Sequence, residues 1–313
     1  MSLHLSPIRL AAGAAATLAI AAAPPAMAAS GPIYGGHTAQ DGPIALRVAG
    51  NGRALTQLLV HVRAACDDGA SATWSGRASF AAFQPPTINV GENVFSPARV
   101  SRRGAFRATG LAADGYGDKF GTVTQKLSGT VRRGVAHGTY SATIDITDPA
   151  TGAKVTSCRS GTLRWAARSA PGRTYAGLTS NGSPIVVQRS RDGRRIDSLW
   201  VSWQAPCQNE GGFSLAEELV RFPVSGAGSF GGAFPDDVKL DDGGTRSFAY
   251  RLSGRAGATS ASGTFQVQIT DKDPAGATTN TCDTTLLRWS ARSTEGRAPR
   301  VSPKRSEVRR VGP

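Results

Sequence analysis

Four carboxylates fall within the stretch FPDDVKLDDGG: Asp236, Asp237, Asp241 and Asp242. Acids at this spacing suit two kinds of chemistry. A pair can cleave a glycosidic bond, one carboxyl protonating the leaving group while the other acts as base or nucleophile. A loop rich in carboxylate oxygens can instead hold Ca²⁺, a hard cation. Glu217 and Glu218 in LAEEL are two further acids that a fold could bring near. The run departs from the EF-hand pattern D-x-[DN]-x-[DN]-G, and solvated turn residues are the plainer expectation for it.

The basic residues offer the opposite chemistry. Formal net charge is +14, from 36 Lys and Arg against 22 Asp and Glu, which favours anionic partners. Two similar stretches, CRSGTLRWAAR from residue 158 and CDTTLLRWSAR from residue 282, alternate arginines with apolar residues. On a strand, Leu163, Trp165 and Ala167 share one face and Arg164 and Arg168 take the other. Leu287, Trp289 and Ala291 oppose Arg288 and Arg292 likewise. The apolar triplets read as core. Arginines four residues apart on a strand lie about 13 Å from each other, a spacing that suits a polyanion as well as a simple solvated face. Trp200 is the main aromatic candidate for ligand binding, because an indole face can stack on a sugar ring. It stands where a similar earlier stretch has Leu59, so a shared fold does not require it; packing between domains is the competing expectation. Trp74 has the same two readings.

Other catalytic chemistry finds little to use. His37, His61 and His137 have Leu178, Ser202 and Ser262 at the corresponding places of the second half, which excludes a His-based triad duplicated with the fold. There is no G-x-S-x-G elbow, no H-E-x-x-H helix and no phosphate-cradling glycine loop. No cofactor is expected. The absence of a nucleic-acid module and of a run of strand-borne aromatics argues against nucleic acid as the partner.

These side chains must be positioned by a fold, and its organisation shows as an internal repeat. Residues 34–66 align without a gap on residues 175–207, and three further matches follow in order before the Arg-Trp stretch closes each copy. Two tandem antiparallel β domains are predicted, over residues 32–169 and 174–296. Tyr140, Ala142, Ile144 and Ile146 alternate with polar residues, as do Phe265, Val267 and Ile269, the period of strands with one buried face. Asn51-Gly52 and Asp192-Gly193 are the signal for two-residue hairpin turns. Seven or eight short strands per copy suit a β-sandwich, or alternatively an up-and-down meander barrel. LAEEL is the only helix-like fragment, and it is too short to stand alone.

Residues 1–28 read as a secretory signal peptide: Arg9 ends a short basic region, an apolar small-residue stretch follows, and Ala26-Met27-Ala28 fits an A-x-A cleavage site. No later run approaches the roughly 20 apolar residues of a membrane-spanning helix. The implied location is extracellular or cell-wall associated, where disulfides form. Cys66, Cys158, Cys207 and Cys282 fall two per copy, so symmetry pairs Cys66 with Cys158 and Cys207 with Cys282, although four cysteines allow three pairings. Residues 297–313 carry six basic residues and one acid, and are expected to be a disordered basic tail. With 30 of the 36 basic residues arginine and abundant Ala and Gly, the chain resembles in general character the secreted β-proteins of high-GC actinobacteria, a bacterial resemblance that implies no activity. The expectation is a secreted, non-enzymatic binding or structural module that associates with an anionic cell-envelope polymer or glycan. The alternative is a secreted hydrolase of polysaccharide or peptide using the acidic run of the second copy.

Overall fold

The computed structural model describes residues 30–80, 93–116, 119–169, 172–209 and 211–293, and every regular element among them is a strand. The expected signal peptide and basic tail lie outside the described residues. The first sheet holds β1 (Ser30–Thr38), β2 (Pro43–Ala49), β3 (Leu55–Cys66), β4 (Ser71–Phe80), β5 (Asn93–Phe95), β6 (Ala105–Tyr116), β7 (Lys119–Arg132), β8 (Val135–Thr147), β9 (Lys154–Arg159) and β10 (Leu163–Arg168). From β1 to β9 each strand pairs with the next, and β10 inserts between β8 and β1, so the sheet closes on itself. Of the two architectures the sequence suggests this is a barrel, and it departs from a strict up-and-down meander because β5 runs parallel to β4 and β10 lies between β8 and β1.

The second sheet holds β11 (Arg173–Thr179), β12 (Pro184–Arg189), β13 (Arg195–Pro206), β14 (Gly212–Pro223), β15 (Ser229–Lys239), β16 (Thr245–Ala256), β17 (Ser260–Lys272), β18 (Thr278–Asp283) and β19 (Leu287–Arg292). It curls the same way but does not close, because no ladder joins β14 to β15. Register matches between the two barrels: Gly36 of β1 faces Ala167 of β10, and Gly177 of β11 faces Ala291 of β19. These glycines permit close strand approach, since a Cβ would lie 2.1 Å from the Ala166 carbonyl oxygen at Gly36 and 1.9 Å from that of Ser290 at Gly177.

Period-two alternation builds both interiors. Tyr140, Ala142, Ile144 and Ile146 of β8 are buried in one core, and Phe265, Val267 and Ile269 of β17 in the other. Leu163, Trp165 and Ala167 join the first core and Leu287, Trp289 and Ala291 the second. The disulfides are Cys66–Cys158 and Cys207–Cys282.

LAEEL, too short to stand alone as a helix, is the middle of β14, where Leu215 and Leu219 face the core at strand spacing. Two local expectations are corrected. Asp236 and Asp237 are not in a loop but on β15, while Asp241 and Asp242 do sit in the following turn. The Asn-Gly and Asp-Gly turns have positive φ at Gly52 and Gly193 only. Asn51 Oδ1 accepts from the Arg53 N–H and Asp192 Oδ1 from the Arg194 N–H, and this side-chain turn makes a longer loop in place of the two-residue type.

The barrels meet through the outer faces of β1–β3 and β11–β13. Ile33, Ala45 and Leu59 of one pack against Val186 and Trp200 of the other. Gln188 Nε2 donates to the Gly35 carbonyl at 2.8 Å, and Trp200 stacks on His37 with ring centroids 5.8 Å apart.

Candidate functional site

A strongly cationic surface lies on the outside of the first barrel. Alternation along β10 turns Arg164 and Arg168 outward and leaves both exposed. Across the ladder Arg164 faces Thr139 of β8, Thr139 faces Ser128 of β7, and Ser128 faces Arg107 of β6. Three strand spacings separate Arg164 from Arg107 by about 14 Å. Lys126, also exposed, lies on the same face two residues from Ser128. Between these cations stand hydroxyls, including the Ser128–Thr139 pair at 2.9 Å, and no carboxylate. Two exposed corners extend the face at one end: Arg102 and Arg103 precede β6, Arg132 ends β7 and Arg133 follows it in the turn to β8. The side chains of these eight cations have no ion-pair or hydrogen-bond partner among the described residues.

This charge is not a requirement of the turns. The turn before β6 is closed by Ser101 N–H to Ala105 O and Gly104 N–H to Ser101 O, and the turn before β15 by Ser225 N–H to Ser229 O and Gly228 N–H to Ser225 O. The second of these carries Gly226 and Ala227 where the first carries Arg102 and Arg103. The paired-arginine signal SRRG and VRRG is visible in the sequence, but only the fold shows that both turns edge the face that bears Arg164 and Arg168.

The corresponding face of the second barrel is cationic too, with Arg251 and Arg255 exposed on β16, but its turn before β15 carries no arginine, and Arg255 Nε donates to the Ala227 carbonyl. Arg288 is exposed beside Thr264 of β17, and Arg292 is half-buried between Ala176 and Ser260. Trp200 does not line a surface. It is 7% exposed and belongs to the contact between barrels. Trp74 lies inside the first barrel, where its Nε1 donates to Gln125 Oε1.

Acidic residues gather at the open seam of the second barrel. Glu217 of β14 faces inward, and Tyr250 Oη of β16 donates to its Oε1 at 2.6 Å. Burial raises the pKa of Glu217 and the negative charge of Asp236 adds to this, while the Tyr250 hydroxyl opposes it. The buried Trp203 Nε1 is near enough to favour the charged form but does not reach hydrogen-bond geometry. Asp236, on the inward side of β15, is exposed through the seam; Glu218 and Asp237 flank it on the outer rim. Asp242 Oδ1 accepts from the Gly244 N–H in the next turn, and Asp241 is exposed beside it. The fold thus brings Glu217 and Asp236 to one seam and leaves Asp241 and Asp242 in a turn. No group of three or more His, Cys, Asp or Glu side chains among the described residues is arranged to hold a metal ion.

The histidines do not converge either. His37 packs on Trp200, His137 Nε2 meets the Thr130 hydroxyl, and His61 Nδ1 meets the Ser75 hydroxyl. His61 is only 2% exposed, and its pKa is lowered to about 3 by burial and then by the charge of Arg63. Its ordinary value is near 6.5, so below that pH the unfolded chain takes up a proton that the folded chain refuses until about pH 3. Folding stability from this group is present above pH 6.5 and lost progressively across that window, by on the order of 1 kcal/mol per pH unit. Urea midpoints measured between pH 7.5 and 4.5 should fall more steeply for the wild type than for His61→Gln. Parallel curves would contradict this.

Comparison with protein-family models, curated proteins and solved structures gives no match to this chain.

Proposed function

We propose that this protein is a secreted, non-enzymatic binding module whose first barrel holds an anionic cell-envelope polymer against its cationic outer face. The observation that carries this reading is the set of eight unpaired cations around β6, β7, β8 and β10, with hydroxyls and no acid between them. The rigid sheet sets the spacing at which the Lys and Arg side chains leave the backbone, which suits a repeating anion; ordering each unpaired side chain on binding costs about 0.5–1.5 kcal/mol, which the summed charge contacts must exceed. The hydroxyls supply neutral donors between the charges. Two disulfides, and the absence among described residues of a helix able to span a membrane, are compatible with an extracellular location. The signal-like first 28 residues supply export in this reading. Purified cell walls should retain the protein at low salt and release it as ionic strength rises. Failure to bind, or binding indifferent to salt, would remove the proposal.

The rival reading, a secreted hydrolase, draws on Glu217, whose raised pKa suits a proton donor beside Asp236. In a screen of glycan and peptide substrates, turnover that disappears in Glu217→Gln would replace the binding reading.

A further inference from the structure

The two barrels treat the same gap differently. In the first, β5 fills the space between β4 and β6, running parallel to β4 and antiparallel to β6. Its Asn93 reaches inward, where Gln125 Nε2 donates to Asn93 Oδ1 at 3.0 Å. Gly76 of β4 makes room for that amide, since a Cβ there would lie 2.6 Å from Asn93 Nδ2. The matching gap of the second barrel, between β14 and β15, contains no strand among the described residues.

Registers identify what stands in place of β5. Gly76 pairs with Val60 and Glu217 with Val201, while Gly110 pairs with Gln125 and Phe234 with Tyr250. Phe95 of β5 lies against Gly110, so the Phe234 ring takes over the place of Phe95, as Glu217 takes over the place of the Asn93 amide. A neutral amide network has become an ionisable one at an open edge. The aromatic floor continues along the seam: Phe234 stacks on Tyr250 at 5.1 Å, and Phe222 lies 6.1 Å from Phe234 and 6.5 Å from Phe230. A shallow groove of about 540 Å³ opens at the hairpin end, lined by residues that include Pro223, Val224, Phe230 and Leu252.

Charge and edge chemistry specify the occupant. Each rim carries two acids, Glu217 and Glu218 on β14 and Asp236 and Asp237 on β15, and all but Glu217 lack a partner among the described residues. The same strands carry the exposed cations Arg221 and Lys239, the latter donating to the Thr245 hydroxyl, yet the four acids outnumber them and favour a cationic occupant. The aromatic rings beside them add cation–π attraction, and the unladdered edges of β14 and β15 offer main-chain hydrogen bonds to an extended chain. Pro235 lacks an N–H, and Arg221 has a left-handed φ of 65°; these interruptions oppose long edge-to-edge pairing with a second copy. A short strand is still accommodated, as β5, with three residues, shows in the first barrel.

We propose that the β14–β15 seam binds an extended cationic peptide, a short strand standing where β5 stands in the first barrel, with a lysine or arginine side chain directed to Glu217 and Asp236. This site is independent of the polyanion face and opposite to it in charge.

Fluorescence anisotropy of a labelled, alternating Lys–Val peptide titrated with the full chain tests the assignment. Binding should be saturable and at least about tenfold weaker for the double variant Glu218→Gln/Asp236→Asn, both exposed residues whose loss leaves the core untouched. An additional Glu217→Gln variant should weaken it further, and hydrogen exchange should show β14 and β15 amides protected by the peptide. Neutralising Arg107, Lys126, Arg164 and Arg168 should leave this binding unchanged, so that failure of the polyanion reading and failure of this one are distinguishable. Absent binding, equal binding of a Glu–Val peptide, or indifference to the acidic substitutions would overturn the proposal. Protection of the same amides in the free protein that vanished on removing residues 297–313 would place the chain's own tail there, and would overturn assignment to a partner.

Discussion

Replacing Trp200 with alanine should uncouple the two barrels while leaving each of them folded. Trp200 belongs to neither barrel core; it packs with Ile33, Ala45, Leu59 and Val186 between them and stacks on His37. Loss of a buried tryptophan typically costs about 3–5 kcal/mol, and here most of that would fall on the docking of one barrel against the other. The expected outcome is two separated thermal transitions where the wild type shows coupled unfolding, together with a larger radius of gyration in solution scattering. Val186→Ala, which removes less surface from the same cluster, should show the same change more weakly. A single transition and an unchanged radius for Trp200→Ala would contradict the packing described here.

Removing the second disulfide should be more damaging than removing the first, although it closes the shorter loop. The bridges span 92 residues between Cys66 and Cys158 and 75 between Cys207 and Cys282. In the chain-entropy model each is worth about 4–5 kcal/mol, and loops this similar differ by only a few tenths of a kcal/mol. Topology therefore decides. In the first barrel β9 also pairs with β3 through Ala65 and Arg159, within a sheet already closed by β10. In the second, β18 meets the end of β13 at a single bridge, Cys207 with Cys282, and the sheet is open at its seam. Cys207→Ser/Cys282→Ser should thus lower the denaturant midpoint further than Cys66→Ser/Cys158→Ser. Equal losses would mean that the seam does not weaken the second barrel.

What could be read in advance follows from where alternation is enforced by a buried face. In LRWAAR and LRWSAR the apolar triplet packs inside and the arginines point out, so strand, face and core are all visible in six letters. The cysteine pairing is legible for a related reason, because two residues per copy at corresponding places leave one pairing that stays within each copy. β14 and β15 hide themselves. Glu217 interrupts the inward apolar series of β14, and most of β15 is exposed beside the seam, so hydrophobic burial imprints little pattern on either. The cationic face was half visible: Arg164 and Arg168 follow from alternation, whereas Arg107 and Lys126 join them only through ladder register. In the sequence Trp200 is open to two readings, a ligand-stacking face or packing between domains, and what covers it is set by residues more than a hundred positions away.

The polyanion face is tested most directly by comparing the wild type with Arg107→Gln/Lys126→Gln/Arg164→Gln/Arg168→Gln. All four side chains are exposed and outside the cores, so the variant should fold normally. Each exposed charge contact is worth a modest, screened increment, and four together should weaken binding to a purified anionic wall polymer by at least about tenfold at low salt. The dependence of affinity on salt concentration should become shallower as well. Wild-type affinity and an unchanged salt dependence in the folded quadruple variant would contradict the assignment of binding to this face.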